Sequence, residues 1–371
     1  MRALHIITGL GIGGAEQQLR LLLRNLPTPC DVVTLTNPGA VADGLRTDGV
    51  RVTDLGMKGN RDLAALPRLA RIIRQGKYDL VHTHLYRACV YGRIAARLAG
   101  VRATIATEHS LGRAEIEGRP LTRSTRALYL RTERLGSATV AVSSTVAGRL
   151  RDWGVPAARI HLVPNGIDAE LFRYDDGARR DTRALMGIPD DAFVVGGVGR
   201  LVPGKRFDVL VRAVAALPGA RLLLAGDGPE RGPLTALAER LGAAGRIRLL
   251  GECDGERPGA GPGVPALLST MDAFVSTSRE ESFGLAAVEA LAAGLPVLYA
   301  ACPAIEDLPA DRSAGATRVT GDAEELTAAL RQRMRAGPHR LPPPPAVAHY
   351  DIRRSSEHLM DVYERALSGH R

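Results

Sequence analysis

Along the first half of the chain, short apolar runs alternate with longer stretches whose apolar residues return every three or four positions. The runs are Ala3–Thr8, Asp31–Leu35, Arg51–Leu55, Leu80–His84, Ala103–Thr107 and Ala138–Val142. Most lack the strict alternation of a half-exposed strand, as expected of a parallel sheet covered on both faces. The intervening Ala15–Arg24, Leu63–Gln75 and Val90–Ala99 predict helices. The pattern restarts with a strand at Phe193–Gly199. It continues through helix Arg206–Ala216, strand Arg221–Ala225, helix Pro233–Leu241, strands Ile247–Leu250 and Ala273–Ser276, helix Gly284–Ala293 and strand Val297–Tyr299. Such alternation predicts two doubly wound α/β units. The polar, turn-like Tyr174–Arg180 reads as their linker. Asp254–Pro265, rich in Gly and Pro, reads as a loop, and the proline run Leu341–Pro345 ends the second unit before a last helix at about Ile352–Leu367. Two such sheets make a cleft between their carboxyl edges, where open α/β sheets bind ligands.

Length and composition narrow the classes. The chain has 371 residues, enough for two domains. Hydrophobic residues make up 45% and charged residues 24%, the balance of a soluble globular protein. A disordered chain, a collagen-like fibre and a disulfide-stapled miniprotein are excluded. The formal charge is +9. Residues 1–170 carry 24 basic and 14 acidic side chains, net +10; the remainder carries 25 and 26, net −1. The asymmetry suggests an anionic partner for the first half: nucleic acid, an acidic substrate or a membrane surface. Cys30, Cys89, Cys253 and Cys302 are far apart, with no C-x-x-C pair, so neither a zinc site nor a disulfide framework is indicated and a reducing cytoplasm fits. No apolar run approaches the roughly 18–20 residues of a membrane span. The opening Met1-Arg2 and LHIITGLGIGGA read as a first strand and its loop, not as a signal peptide.

Three segments carry candidate chemistry. Gly9-Leu10-Gly11-Ile12-Gly13-Gly14-Ala15-Glu16 follows the first strand and opens a helix, where glycines admit a ligand to backbone amides and the helix end favours an anion. The second strand ends in Leu35-Thr36-Asn37 with no acid to hold an NAD ribose, which disfavours a dinucleotide. Gly199-Arg200-Leu201-Val202-Pro203-Gly204-Lys205 sets two cations around a Pro-Gly turn at a strand's carboxyl end, an arrangement suited to a diphosphate. In Arg279–Leu291, Glu281 and Glu289 are eight residues apart; Glu281 precedes a helix that carries Glu289, and Ser282 to Leu285 form its amino end. A carboxylate amid Ala, Val and Leu, as Glu289 is, needs partners, and sugar hydroxyls are good ones.

In this order and context, Gly13-Gly14-Ala15-Glu16, Gly199–Lys205, Gly226-Asp227-Gly228-Pro229-Glu230 and Glu281–Glu289 resemble the retaining GT-B glycosyltransferases of family 4. Ala141–Ser144, Val163–Asp168 and Ala290–Val297 match as well, so the resemblance runs from about residue 3 to residue 367. It implies a sugar transferred with retention from a nucleotide donor, usually a uridine diphosphate sugar, without a metal or other cofactor. It implies an acceptor-side domain at residues 1–172, completed by a C-terminal helix at 352–371, and a donor-binding domain at 173–351. Arg200 and Lys205 would hold the diphosphate, Glu289 the ribose, and Glu281 would face the donor sugar. Amides of Phe283, Gly284 and Leu285, with Ser282 beside them, would contact phosphate or sugar. Gly13 and Gly14 would approach the phosphates, and His109 matches the family's histidine near the donor sugar. The family often has Gly-Gly-x-x-Glu after the strand that begins at Val297; here Tyr299–Glu306 reads YAACPAIE, so the donor sugar is not implied.

Other residues fall outside those motifs. His82 and His84, in Val81-His82-Thr83-His84, are read as pointing opposite ways, so no metal pair is expected from them. Arg113 to Arg134 is the densest basic stretch, with leucines interleaved; on a helix it would dock anionic lipid headgroups or a phosphorylated acceptor, or else be a solvated face over core leucines. Two rival functions stand beside the transferase: a nucleotide-sugar epimerase, and a non-catalytic polyanion binder. Aromatic residues are only 4% and no nucleic-acid motif is present, so nucleic acid is not expected.

Overall fold

The computed structural model describes all residues except 60, 118, 254–260, 370 and 371. The chain divides into two compact units, Met1–Gly166 with Ile352–Arg371, and Ile167–Asp351. The sequence-based boundary at 172/173 thus lies a few residues beyond the division at 166/167.

In the first unit the strands are β1 (Ala3–Ile7), β2 (Cys30–Thr34), β3 (Arg51–Asp54), β4 (Leu80–His84) and β5 (Ala103–Glu108), then a small hairpin, β6 (Glu115–Ile116) with β7 (Arg119–Pro120), then β8 (Ala138–Ala141) and β9 (Ile160–Leu162). All but the hairpin form one parallel sheet, ordered β3-β2-β1-β4-β5-β8-β9. One face buries Ala3, Ile7, Leu80 and Ile105 under the first helix, Gly14–Asn25, and the C-terminal helix, Ile352–Ser368. The other buries Leu4, Ile6, Val33 and Val81 under the helices Ala65–Gly76 and Tyr86–Ala99. Burial on both sides explains why these strands read as apolar runs.

The second unit has β10 (Phe193–Val198), β11 (Ala220–Ala225), β12 (Ile247–Gly251), β13 (Ala273–Ser276), β14 (Val297–Tyr299) and β15 (Ala316–Arg318), all parallel, in the order β12-β11-β10-β13-β14-β15. Strand order reverses between β1 and β4 in one unit and between β10 and β13 in the other. Ligand-binding loops of open sheets emerge at such switch points.

Two local expectations are corrected. Tyr174–Arg180 is not simply a linker: Asp176–Leu185 is a helix, capped by the Asp175 side chain accepting from the Ala178 amide at 2.9 Å. Arg179 and Arg183 on it donate to buried Asp272 at 2.7 and 2.9 Å, so these two charges face a partner inside the unit. Of Asp254–Pro265, residues 254–260 lie outside the described residues, and Val264 and Pro265 open a helix, Val264–Thr270, with proline in its first turn, where a missing N–H costs nothing.

Candidate functional site

Each unit carries its candidate residues at its own switch point. In the second unit, β10 leads into a turn of 3-10 helix, Pro203–Lys205, and Arg206 then adopts φ 50°, left-handed and unusual for arginine, before helix Phe207–Ala215. The Thr277 hydroxyl donates to the Lys205 carbonyl at 2.7 Å and ties this loop to the end of β13. So held, Lys205 Nζ reaches Glu281 Oε1 at 2.5 Å; both side chains are partly buried. Arg200 is exposed. Among the described residues, no hydrogen bond or ion pair joins Arg200 or Glu289 to that pair.

Glu281 and Ser282 lead through buried Phe283 to Gly284, the cap of helix Leu285–Ala292. Gly284 has φ 101°, and a Cβ there would lie 2.4 Å from Cys302 Sγ, so both conformation and space demand glycine. Cys302 follows β14. It is buried, its thiol is 3.5 Å from the Phe283 carbonyl, and burial pushes it up to about 12, which leaves it a packing group. Gly284, at the cap position, has no side chain to cap the first turn of this helix. Its amino end is therefore a fit for an anion. Glu289, further along the helix, is partly buried, and the protein packed around it pushes its carboxyl up to about 7. Lys205 and a helix end suited to an oxyanion thus lie beside Glu281, with Glu289 further along the same helix.

In the first unit Gly13 caps the helix that Gly14 begins, again with no side-chain cap. Gly13 is extended (φ −159°), a conformation open to any residue, but a Cβ there would lie 2.4 Å from Glu16 Oε2, so its use here is to leave space that the Glu16 carboxylate fills. His109 follows β5 and is buried. The expectation for His82 and His84 is corrected: residues two apart on a strand share a face, and their rings lie 4.1 Å apart. His5 is the register partner of His82, so all three sit on the face beneath the C-terminal helix. Ring nitrogens of His5, His82 and His84 lie within 4.8 Å of one another. An ion there would have to displace hydrogen bonds already made: His82 to Tyr363 and Thr107, both 2.7 Å, and His5 to His84, 3.0 Å. Immediately after His84, Leu85 takes φ 73°, a strained value for leucine at a strand end.

Residues 12–171 match the family described as Glycosyltransferase Family 4, and residues 178–341 match Glycosyl transferases group 1. The chain belongs to the family 4, group 1 glycosyltransferases. A D-inositol 3-phosphate glycosyltransferase of Mycobacterium tuberculosis (strain ATCC 25618 / H37Rv) is 32% identical over 249 residues, covering 64% of this chain and 50% of that protein. The chain spans about half the length of the curated relatives it matches. Among solved structures, Anabaena HepE in complex with UDP aligns with a TM-score of 0.81 at 22% identity, over 98% of this chain and all of that one. Sucrose-phosphate synthase from Thermosynechococcus elongatus aligns with a TM-score of 0.71 at 22% identity, over 100% of this chain and 98% of its own. These likenesses show the GT-B fold.

In this glycosyltransferase the basic stretch Arg113–Arg134 is not one helix. A hairpin precedes a helix of eleven residues, Arg123–Glu133, capped by Thr122. Leu128 (44% exposed) and Leu135 (38%) face outward among exposed Arg123, Arg131 and Arg134, while Tyr129 is buried. Sequence reasoning also missed His5 and Tyr363. The signal was available: His5 sits mid-strand in β1, as His82 does in β4, and parallel register pairs them.

Proposed function

We propose that the chain is a retaining glycosyltransferase that moves a sugar from a UDP-sugar to a hydroxyl acceptor without a metal. The observation that carries this reading is Lys205 paired with Glu281 just before the glycine-capped helix Leu285–Ala292 that bears Glu289. As diphosphate departs, charge grows on its oxygens, and Arg200, Lys205 and the helix amides can stabilise it where a metal otherwise would. Glu281 would release Lys205 to the phosphate and accept from sugar hydroxyls; Glu289 would accept from the ribose. The acceptor hydroxyl would give its proton to the departing phosphate oxygen on the same face. HepE, solved with UDP, supports UDP as the nucleotide of the donor. Both family matches are to transferases and together span most of the chain, which favours transfer over epimerisation.

The exposed arginines and leucines around Arg123–Glu133 support an acceptor or surface that is anionic, such as lipid headgroups at a membrane face. Among the described residues no helix is long and apolar enough to cross a membrane. No disulfide joins the four cysteines among the described residues, which suits a reducing cytoplasm.

Isothermal titration with UDP tests the donor half: saturable binding is expected, and no heat at millimolar nucleotide would sink the reading. A donor–acceptor screen followed by nucleotide release and product mass tests transfer, with turnover expected to survive chelation. Anomeric configuration of the product, read by NMR, tests retention. Epimerised donor without acceptor would favour the rival enzyme.

A further inference from the structure

Six buried side chains of the first unit form one hydrogen-bonded run that ends at His109. Thr107 Oγ1 meets His82 Nε2 at 2.7 Å, and His82 Nδ1 meets the Tyr363 hydroxyl at 2.7 Å. That hydroxyl lies 3.5 Å from His5 Nε2. His5 Nδ1 meets His84 Nε2 at 3.0 Å, and His84 Nδ1 meets His109 Nε2 at 3.1 Å. Burial holds all four imidazoles below their ordinary range, His5 near 3 and His109 near 4. At neutral pH each therefore carries one proton, on one nitrogen.

A neutral imidazole that donates through one nitrogen accepts through the other, so these links are not independent. In one direction His109 Nε2 donates to His84 Nδ1, His84 Nε2 donates to His5 Nδ1, and His5 Nε2 aims its proton at Tyr363. In the other direction every step reverses, and the proton of His109 moves to Nδ1. His109 Nδ1 ends the run: it is itself buried and has no partner among the described residues. His109 borders a cavity of about 30 Å³ that Gln18, Asn165 and Ser355 also line. The direction of the run decides whether that end offers a lone pair or an N–H.

We propose that His5, His84 and Tyr363 are positioning residues that fix the tautomer of His109, so that its Nδ1 presents one defined hydrogen-bonding character to a sugar hydroxyl. The last clause rests on the reading of His109 as facing the sugar; the tautomer itself does not. Interior polar chains of this kind orient a working imidazole at a distance, as the acid of a catalytic triad does directly.

The test is ¹⁵N-histidine NMR on the full chain, with His109 signals assigned by their loss in His109→Gln. Wild type should show one protonated and one bare His109 nitrogen. His5→Phe keeps a ring and removes both links; Tyr363→Phe removes only the hydroxyl. In each the His109 tautomer ratio should shift, by roughly threefold or more in His5→Phe, and His5→Asn, which restores a polar group near Nδ1, should reverse part of the shift. Since a wrong tautomer can cost a triad about 10⁴-fold, partial loss of control should lower kcat roughly tenfold with KM little changed. A packing role alone would lower Tm and leave the His109 nitrogens as they were. An unchanged ratio in both His5→Phe and Tyr363→Phe overturns the proposal; should His5→Phe not fold, Tyr363→Phe carries the test alone. A shifted ratio with unchanged kcat supports the run and removes only the sugar-facing reading of His109.

Discussion

At the scale of single residues, the two carboxylates of the second unit differ in what they stand next to. Glu281 is held by Lys205, whereas Glu289 is pushed up to about 7 by burial. Two hydroxyls of a ribose need an acceptor, so the ionised form of Glu289 is the binding form. UDP affinity should therefore rise by roughly threefold to tenfold between pH 6 and pH 8, measured by titration calorimetry, and the rise should vanish in Glu289→Gln. The sign for folding is opposite. A raised carboxyl stabilises the folded chain while it keeps its proton, so without nucleotide this contribution is lost as pH rises through about 7. Lys205→Ala and Glu281→Gln should each lower turnover, by roughly 10²–10³-fold for the lysine. Unfolding should barely move, because a partly exposed pair contributes about 1 kcal/mol or less. Wild-type turnover in either variant would refute the assigned roles.

At the scale of elements, much was legible and the failures have causes. β4, β13 and β14 have the bounds their apolar runs predicted, because strands buried on both faces leave no other reading. β9 and β15 were missed: each has three residues and partly exposed side chains, so no apolar run marks them. Tyr174–Arg180 misled because Arg179 looks as solvent-directed as its neighbours, while its partner Asp272 is nearly a hundred residues away. The Lys205–Glu281 pair was foreseen as two separate roles, since local spacing says nothing of a contact 76 residues apart. The leucines of Arg113–Arg134 were read either as the apolar side of a docking surface or as core residues, and Leu128, on the helix Arg123–Glu133, is exposed. That outward leucine among arginines gives a measurable consequence. In flotation with vesicles containing anionic lipid, the wild-type chain should bind at low salt. Arg123→Glu with Arg131→Glu should lose most of that binding, while Leu128→Ala should lose roughly threefold. Equal binding to neutral vesicles would remove the electrostatic reading.

For the whole molecule, the two units have separate cores and should respond separately. Leu359, on the C-terminal helix, is buried in the first unit. Leu359→Ala should cost that unit about 2–5 kcal/mol and lower its calorimetric transition. UDP should still raise the other transition, because the candidate donor residues belong to the second unit. A single transition that moves with both would show that the cores do not act apart. The first unit is also discontinuous: residues 167–351 intervene before Ile352 returns to finish it. On the ribosome this becomes a delay. At about 5–20 residues per second, those intervening residues take roughly 10–40 s to make. Through that interval one face of the first sheet, with His5, His82 and His84 on it, waits without the second of its two covering helices. A message cut short anywhere in that span would yield a chain that can never close its first core, and proteases would find it by the apolar face it cannot hide.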